Sequence, residues 1–383
     1  MNNSNERKIS QSIEINDESF KFVDIYRLNR VDQIVGKPSH YSIEILRRFF
    51  KNKWATGLLF LLLIIIFTAI IAPLVSPYDP YIPISNAGSL GSNLPPRLSL
   101  NDYPEVVIAG KQYLIDQYMN LPKGFLVKFE PISDLPGWFR ITISPYHLDS
   151  LKDKISILGT DGGGIDIWTK LWTSVGISLG IALAIAVSAT LIGVIYGSIA
   201  GSFAGRTVDI VMMRIVDIIT GVPTLVWLII LGAVITGSSS GTISNVSIIP
   251  ALIFVSWMSP ANATRTYILK NKDAEYIQAT RSLGGSQTRI IFMHMIPVVM
   301  GRLAVIFVNL IPLAIFYEAS LVFIGLKSST ELGLGIMLND AWQVTNSALI
   351  AAPIVTFSLI TISAQIIANA LNDSIDPRII GRN

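Results

Sequence analysis

Six long apolar runs punctuate this chain, at roughly Trp54–Val75, Ser174–Ala200, Val208–Ile235, Val246–Tyr267, Val298–Ile324 and Ala348–Leu371. A helix rising about 1.5 Å per residue needs about 20 apolar residues to cross about 30 Å of hydrocarbon, and each run meets or approaches that length. The pattern therefore predicts six transmembrane helices. The first run follows about 50 polar and charged residues, too many for the short basic lead of a secretory signal, and reads as a retained signal anchor.

The stretches between the runs differ from one another. Residues 1–40 are polar without helical periodicity and predict a loosely ordered arm. Tyr41–Lys53 sets Ile43, Leu46, Phe49 and Phe50 at helical spacing beside Arg47, Arg48, Lys51 and Lys53, which suits an interfacial helix on anionic headgroups or an extension of the first span. Residues 76–165 open with closely spaced prolines that forbid continuous helix. Three β-rich runs follow, Glu105–Ile108, Gly124–Phe129 and Trp138–Ser144, predicting a small, mostly β domain that receives a partner or caps the outer mouth. Gly159–Asp166 (GTDGGGID) reads as a flexible turn into a short interfacial helix, Ile165–Leu171. Within the spans, Gly176 with Gly180, and Gly193, Gly197, Gly201 and Gly205, recur at four-residue intervals and predict a ridge that admits another helix closely. Pro223 and Pro312 predict kinks in spans three and five.

Composition agrees with a polytopic membrane protein: 51% of residues are hydrophobic and 14% charged. A net charge of +3 is too small for this length to point to a nucleic-acid binder, and with no Cys and three His there is little material for a metal site or a thiol nucleophile. The basic residues sort by side. Residues 1–53 carry ten Lys and Arg, residues 265–302 carry six (Arg265, Lys270, Lys272, Arg281, Arg289, Arg302), 201–207 carry Arg206 and the tail carries Arg378 and Arg382. The alternate short connections carry only Lys327, so both termini are placed in the cytoplasm, as an even number of spans requires.

Ionisable groups inside apolar spans are functional candidates, which singles out Arg214, Asp217 and Glu318. Arg214 and Asp217 are three apart on one helix face, so mutual pairing is their structural alternative. For Glu318 the alternatives are helix packing and lining a pathway. GTDGGGID lacks the Gly-Lys-Ser/Thr ending of a phosphate loop, and the chain contains no nucleophile–base set or metal-ligand spacing. The connection between spans four and five carries the most specific pattern. Ala274–Ser282 predicts a short helix with Glu275 at its start, Leu283-Gly284-Gly285 stops it, a second helix follows over about Ser286–Met295, and Pro297 opens span five. Two short helices on a glycine hinge make a rigid, partly apolar knob suited to a moving cytoplasmic partner.

The segment EYIQATRSLGGSQTRIIFMHMIP resembles the EAA coupling loop of ABC importer permeases in their oligopeptide/dipeptide form. Residues 46–81, GTDGGGIDIW, MRIVDIITGVP (Met213–Pro223), EASLVFIGL (Glu318–Leu326) and DSIDPR (Asp373–Arg378) resemble the C-type peptide permease in the same order, covering about 46–81 and 159–383.

The resemblance implies an all-α polytopic membrane protein, with six transmembrane helices of the ABC importer type I permease fold and a small, mostly β extracytoplasmic insertion. Its parts would be a cytoplasmic arm with an interfacial helix (1–53), the first span (54–75), the outer domain (76–165), a five-helix permease core with its coupling loop at 268–297 (166–371), and a cytoplasmic tail (372–383). The implied function is half of the pathway of an ATP-driven oligopeptide importer in the cell membrane. Its partners would be a second related permease, two cytoplasmic ATPases, an extracytoplasmic peptide-binding protein, the peptide and membrane lipid. The chain would be no enzyme and bind no cofactor itself, ATP and Mg belonging to the ATPases. The coupling residues implied are Glu275, Gln278, Ala279, Arg281, Leu283, Gly284 and Pro297. Three features depart from the family pattern: Gln278-Ala279-Thr280 stands where Glu-Ala-Ala is usual, Ile165 replaces an Arg before Asp166, and the segment between spans one and two is about 90 residues long. Other cargo, such as nickel or another small solute, suits the same architecture. A stand-alone secondary carrier or channel is the alternative of a different class, without the ion-coupling site or inverted repeats it calls for.

Overall fold

The computed structural model describes residues 41–236, 244–327, 330–342 and 347–375. Contacts divide the chain into Met1–Glu44 and Ile45–Asn383, and nearly all the described structure belongs to the second unit. The arm expected at 1–40 and the tail from 376 lie outside the described residues.

Helix α1 (Tyr41–Lys51) leaves Leu46 and Phe50 exposed beside Arg47 and Lys51. Asn52 then caps α2 (Lys53–Val75), its Oδ1 accepting from the Ala55 N–H at 3.2 Å. The next unit has its own core. Strands β1 (Val106–Lys111), β2 (Leu126–Pro131) and β3 (Trp138–Ile143) form an antiparallel sheet in the order β1-β3-β2, with Ile141 opposite both Ile108 and Phe129. Helix α3 (Gln112–Met119), unforeseen because eight residues carry too little periodicity, packs Ile115 among Phe125, Ile141, Tyr146 and Leu151. Arg97 is fully buried there, with no carboxylate partner among the described residues. Its guanidinium donates to the carbonyls of Ser99, Leu100, Leu151, Lys152 and Lys154, and it lies over the Tyr103 and Tyr146 rings at 5.1 and 4.7 Å. One planar cation thereby satisfies a whole turn of backbone acceptors.

The GTDGGGID segment is a built turn, contrary to the flexible one expected. Asp161 Oδ1 accepts from the N–H groups of Gly163 and Ile165 at 2.9 and 3.0 Å, and Oδ2 pairs with Lys170 at 2.8 Å. Asp166 caps α4 (Ile167–Ser202), accepting from the Thr169 N–H and hydroxyl at 2.8 and 2.7 Å. The short interfacial helix expected at Ile165–Leu171 is not set apart from span two: its residues from Ile167 onward are the first turns of α4, because no Gly or Pro follows the cap before Gly176 to break the helix.

Span three also departs from expectation. It is two helices, α5 (Thr207–Thr220) and α6 (Thr224–Thr236), meeting at 89°. Pro223 supplies no N–H and bars Val222 from the helical region, so a sharp turn replaces the kink expected. The turn is held by the Trp227 indole N–H donating to the Ile219 carbonyl at 2.8 Å. Span four is α7 (Asn245–Ser256) and α8 (Met258–Asn271). After α9 (Glu275–Ser282), helix α10 runs unbroken from Gln287 to Phe323. Short α11 (Leu334–Trp342) and long α12 (Ser347–Ile375) complete the bundle. Among the described residues, five helices are long and apolar enough to cross a membrane, or six spans if the bent pair counts as one.

Helix α4 is the hub, packing along α8, α10, α2 and α7. The expected glycine ridge is shorter than the sequence interval suggests. A Cβ at Gly193, Gly197 or Gly201 would come within 2.5, 2.3 and 2.9 Å of Trp257, Ala261 and Ile268 on the α7–α8 span. Gly180 meets nothing within 4 Å, and Gly205 lies past the helix end at φ +78°.

Candidate functional site

The knob between α8 and α10 folds around a small core of its own: Ile277 from α9, and Ile290, Ile291 and Met295 from α10, close over Ile268 at the end of α8. Helix α9 ends in a Schellman arrangement, with the Gly285 N–H donating to the Thr280 carbonyl and the Gly284 N–H to that of Arg281, both at 3.0 Å. Gly284 sits at φ +80°, the left-handed region that favours glycine. Ser286 then caps the next helix by accepting from the Arg289 N–H at 3.3 Å. Leu283 is carried on the tip of this stop, 89% exposed.

The second knob helix is not a separate element. Its residues, a turn at Gln287–Arg289 and a π-helical turn at Ile290–Met295, run without a break into the α-helix of span five, Ile296–Phe323, whose first turn holds Pro297 as expected. Of the coupling residues, Glu275, Gln278, Ala279, Arg281, Leu283 and Gly284 are exposed together on the knob, and Pro297 is exposed further along α10. The Gln278 amide donates to the Asp273 carbonyl at 3.0 Å, closing the N-terminal side of α9.

The intramembrane charges resolve differently. Arg214 and Asp217 face outward from α5, 76% and 60% exposed, with 3.7 Å between Nη1 and Oδ2. Glu318 turns inward. Its Oε1 pairs with Lys327 Nζ, and its Oε2 accepts from the Ser178 hydroxyl at 2.6 Å, while Ser178 accepts from the Leu334 N–H at 2.8 Å. That network ties α10, α4 and α11 together, which makes Glu318 a packing group. A second tie had no local signal at all: Arg265 on α8 reaches Asp209 on α5 through Nε at 2.6 Å and Nη2 at 2.8 Å, and Asp209 also accepts from the Gly205 N–H at 3.0 Å. Lys170 and Asp340, 3.4 Å apart, link the GTDGGGID turn to α11, and burial raises the Asp340 carboxyl while Lys170 opposes it. Among the described residues no group of three His, Asp or Glu is placed to hold a metal ion.

Residues 190–381 match the model of the binding-protein-dependent transport system inner membrane component, and residues 41–96 match that of the N-terminal transmembrane domain of oligopeptide transport permease C. The chain belongs to this permease family. Among curated relatives, the oligopeptide transport system permease protein OppC of Mycoplasma pneumoniae is 49% identical over 95% of this chain and 97% of its own length. The OppC of Mycoplasma genitalium is 47% identical over the same shares. The dipeptide transport system permease protein DppC of Bacillus subtilis is 31% identical over 98% of this chain and 97% of its own. Among solved structures, an inward-facing MetNI methionine ABC transporter is similar at 19% identity and a TM-score of 0.43, covering 54% of this chain and 97% of that chain. As a member of the permease family this chain is a multi-pass membrane component of a transport system. A match to the mycoplasmal permeases over 95% of the chain leaves no room to omit the long segment between the first two spans, so that segment is shared with those relatives.

Proposed function

We propose that this chain is one permease half of an ATP-driven importer of oligopeptides in the cell membrane, with residues 76–165 outside and both termini and the knob in the cytoplasm. It binds no nucleotide and catalyses no reaction; ATP and Mg are held by two ATPase subunits that dock on the knob. A second, related permease closes the other side of the pathway, and an external binding protein delivers the peptide.

The observation that carries this reading is the knob itself. Its core is continuous with the end of α8 and its second half is the start of α10, so displacement at Leu283 is transmitted to two spans as a rigid body. The peptide cargo is supported by the oligopeptide transport role in the names of the two mycoplasmal relatives. Orientation is supported by the Lys and Arg of residues 1–53 and 265–302. The outward-facing Arg214 and Asp217 support a second permease, since charges on an apolar helix face are costly against lipid.

The test is to purify the tagged chain in mild detergent, identify what accompanies it and reconstitute the assembly in vesicles. Recovery of a second permease and ATPases, with hydrolysis stimulated by peptide and binding protein, is the expected result. A chain that comes out alone, under conditions where known assemblies survive, overturns the reading.

A further inference from the structure

Helix α8 has two opposite faces. Trp257 just before it, then Ala261, Thr264 and Ile268, pack on the Gly193–Gly197–Gly201 stretch of α4. Ser259, Asn262, Thr266 and Lys270 recur at intervals of three and four on the other side, where Ser259, Thr266 and Lys270 are exposed. This second face lines a cavity of about 470 Å³ together with Tyr267 of α8 and Arg302 and Ile306 of α10. A neighbouring cavity of about 370 Å³ shares Ser259 and Asn262 and continues to Thr220, Thr224 and Trp227 at the α5–α6 break. The two form one polar track along the span, with Lys270 and Arg302 at its far end. Neither cation has an ion-pair partner among the described residues.

Lipid tails offer serine, asparagine and threonine no hydrogen bonds, so a stripe of them along a span calls for water or a polar solute opposite. Two unpaired cations converging on one cavity call for an anion. Hydroxyl and amide groups suit a peptide backbone, and the anion that every unmodified peptide carries is its terminal carboxylate.

We propose that the Ser259–Lys270 stripe lines the translocation path, and that Lys270 and Arg302 together take the terminal carboxylate of the peptide as it passes toward the cytoplasm. This deepens the importer reading and rests on it.

The test uses the full assembly with its binding protein in vesicles, and compares uptake of one tetrapeptide with that of its C-terminal amide. The unaltered complex favours the free acid. The Lys270→Gln/Arg302→Gln double variant lowers the acid-to-amide ratio by about tenfold, and the charge-keeping Lys270→Arg/Arg302→Lys pair holds it near the original value. Should the double variant not assemble, each single neutralisation reads the same ratio and lowers it. A ratio unchanged by neutralisation, with peptide uptake intact, assigns the cations to lipid phosphates and overturns the proposal while leaving the importer reading standing. Equal uptake of acid and amide by the unaltered complex overturns it too. Uptake of neither peptide removes the importer reading and the proposal together.

Discussion

Glu318 Oε1 and Lys327 Nζ lie 2.5 Å apart with side-chain exposures of 6% and 0%, an ion pair sealed inside the helical bundle. The Ser178 hydroxyl occupies the second carboxylate oxygen, so the charge of Glu318 is met from two sides. Removing one partner of such a pair strands the other, which costs about 3–5 kcal/mol, whereas replacing both with apolar residues of similar size is far better tolerated. Lys327→Met alone should therefore lower the thermal stability of the purified protein sharply, and Lys327→Met/Glu318→Leu should recover much of the loss. A single variant as stable as the parent would show that the pair does not close in the membrane.

The α4–α8 crossing gives a paired comparison on one helix. A side chain at Gly197 must enter the space of the Ala261 carbonyl, 2.3 Å from where its Cβ would lie, while Gly180 has open space. Gly197→Val should destabilise the protein by about 1–3 kcal/mol through overpacking, and Gly180→Val should leave it within the scatter of surface changes. Melting curves of the two variants in the same detergent decide the matter, and equal effects would refute the close approach.

At the knob, shape and exposed surface separate. Gly284→Val meets no neighbour but forces a β-branched residue to φ +80°, so it should loosen the α9 stop at a cost of about 1–3 kcal/mol of local strain. Leu283→Asp leaves the backbone alone and places a charge on an 89% exposed apolar tip. Both should reduce peptide-stimulated ATP hydrolysis by the assembly, and Leu283→Asp should do so without shifting the melting temperature of the isolated chain. Full stimulation in the Asp variant would remove Leu283 from the contact.

Arg97 predicts a defect confined to the unit between the first two spans. Arg97→Met abandons the carbonyls of Ser99, Leu100, Leu151, Lys152 and Lys154, of which the buried Leu151 acceptor costs about 1–3 kcal/mol if left unmet and the part-buried ones less. Arg97→Lys should rescue little, because one ammonium cannot span the same fork. Limited proteolysis should open cleavage within 97–155 in both variants while the spans stay protected. Resistance in the Lys variant would argue that charge, not the planar fork, is what the site needs.

The spans, the three strands and the knob were legible in the sequence because each depends on neighbours a few residues away. Apolar runs long enough to cross a bilayer, alternation around Phe129 and Ile141, and a Leu-Gly-Gly stop after Ser282 are local instructions, obeyed wherever the chain goes next. Other features needed residues brought together from afar. In the sequence Lys327 is a lone cation in a short connection, and only the fold sets it against Glu318; Asp209 likewise has no local partner for the ion pair it makes with Arg265, 56 positions later. The polar face of α8 is equally invisible by composition, since Thr264 and Thr266 look alike in the chain. Only the glycines of α4 decide which threonine is buried against a helix and which faces the track. Burial, charge pairing and the 89° turn at Pro223 are set by which surfaces meet, and that information exists only once the helices have packed.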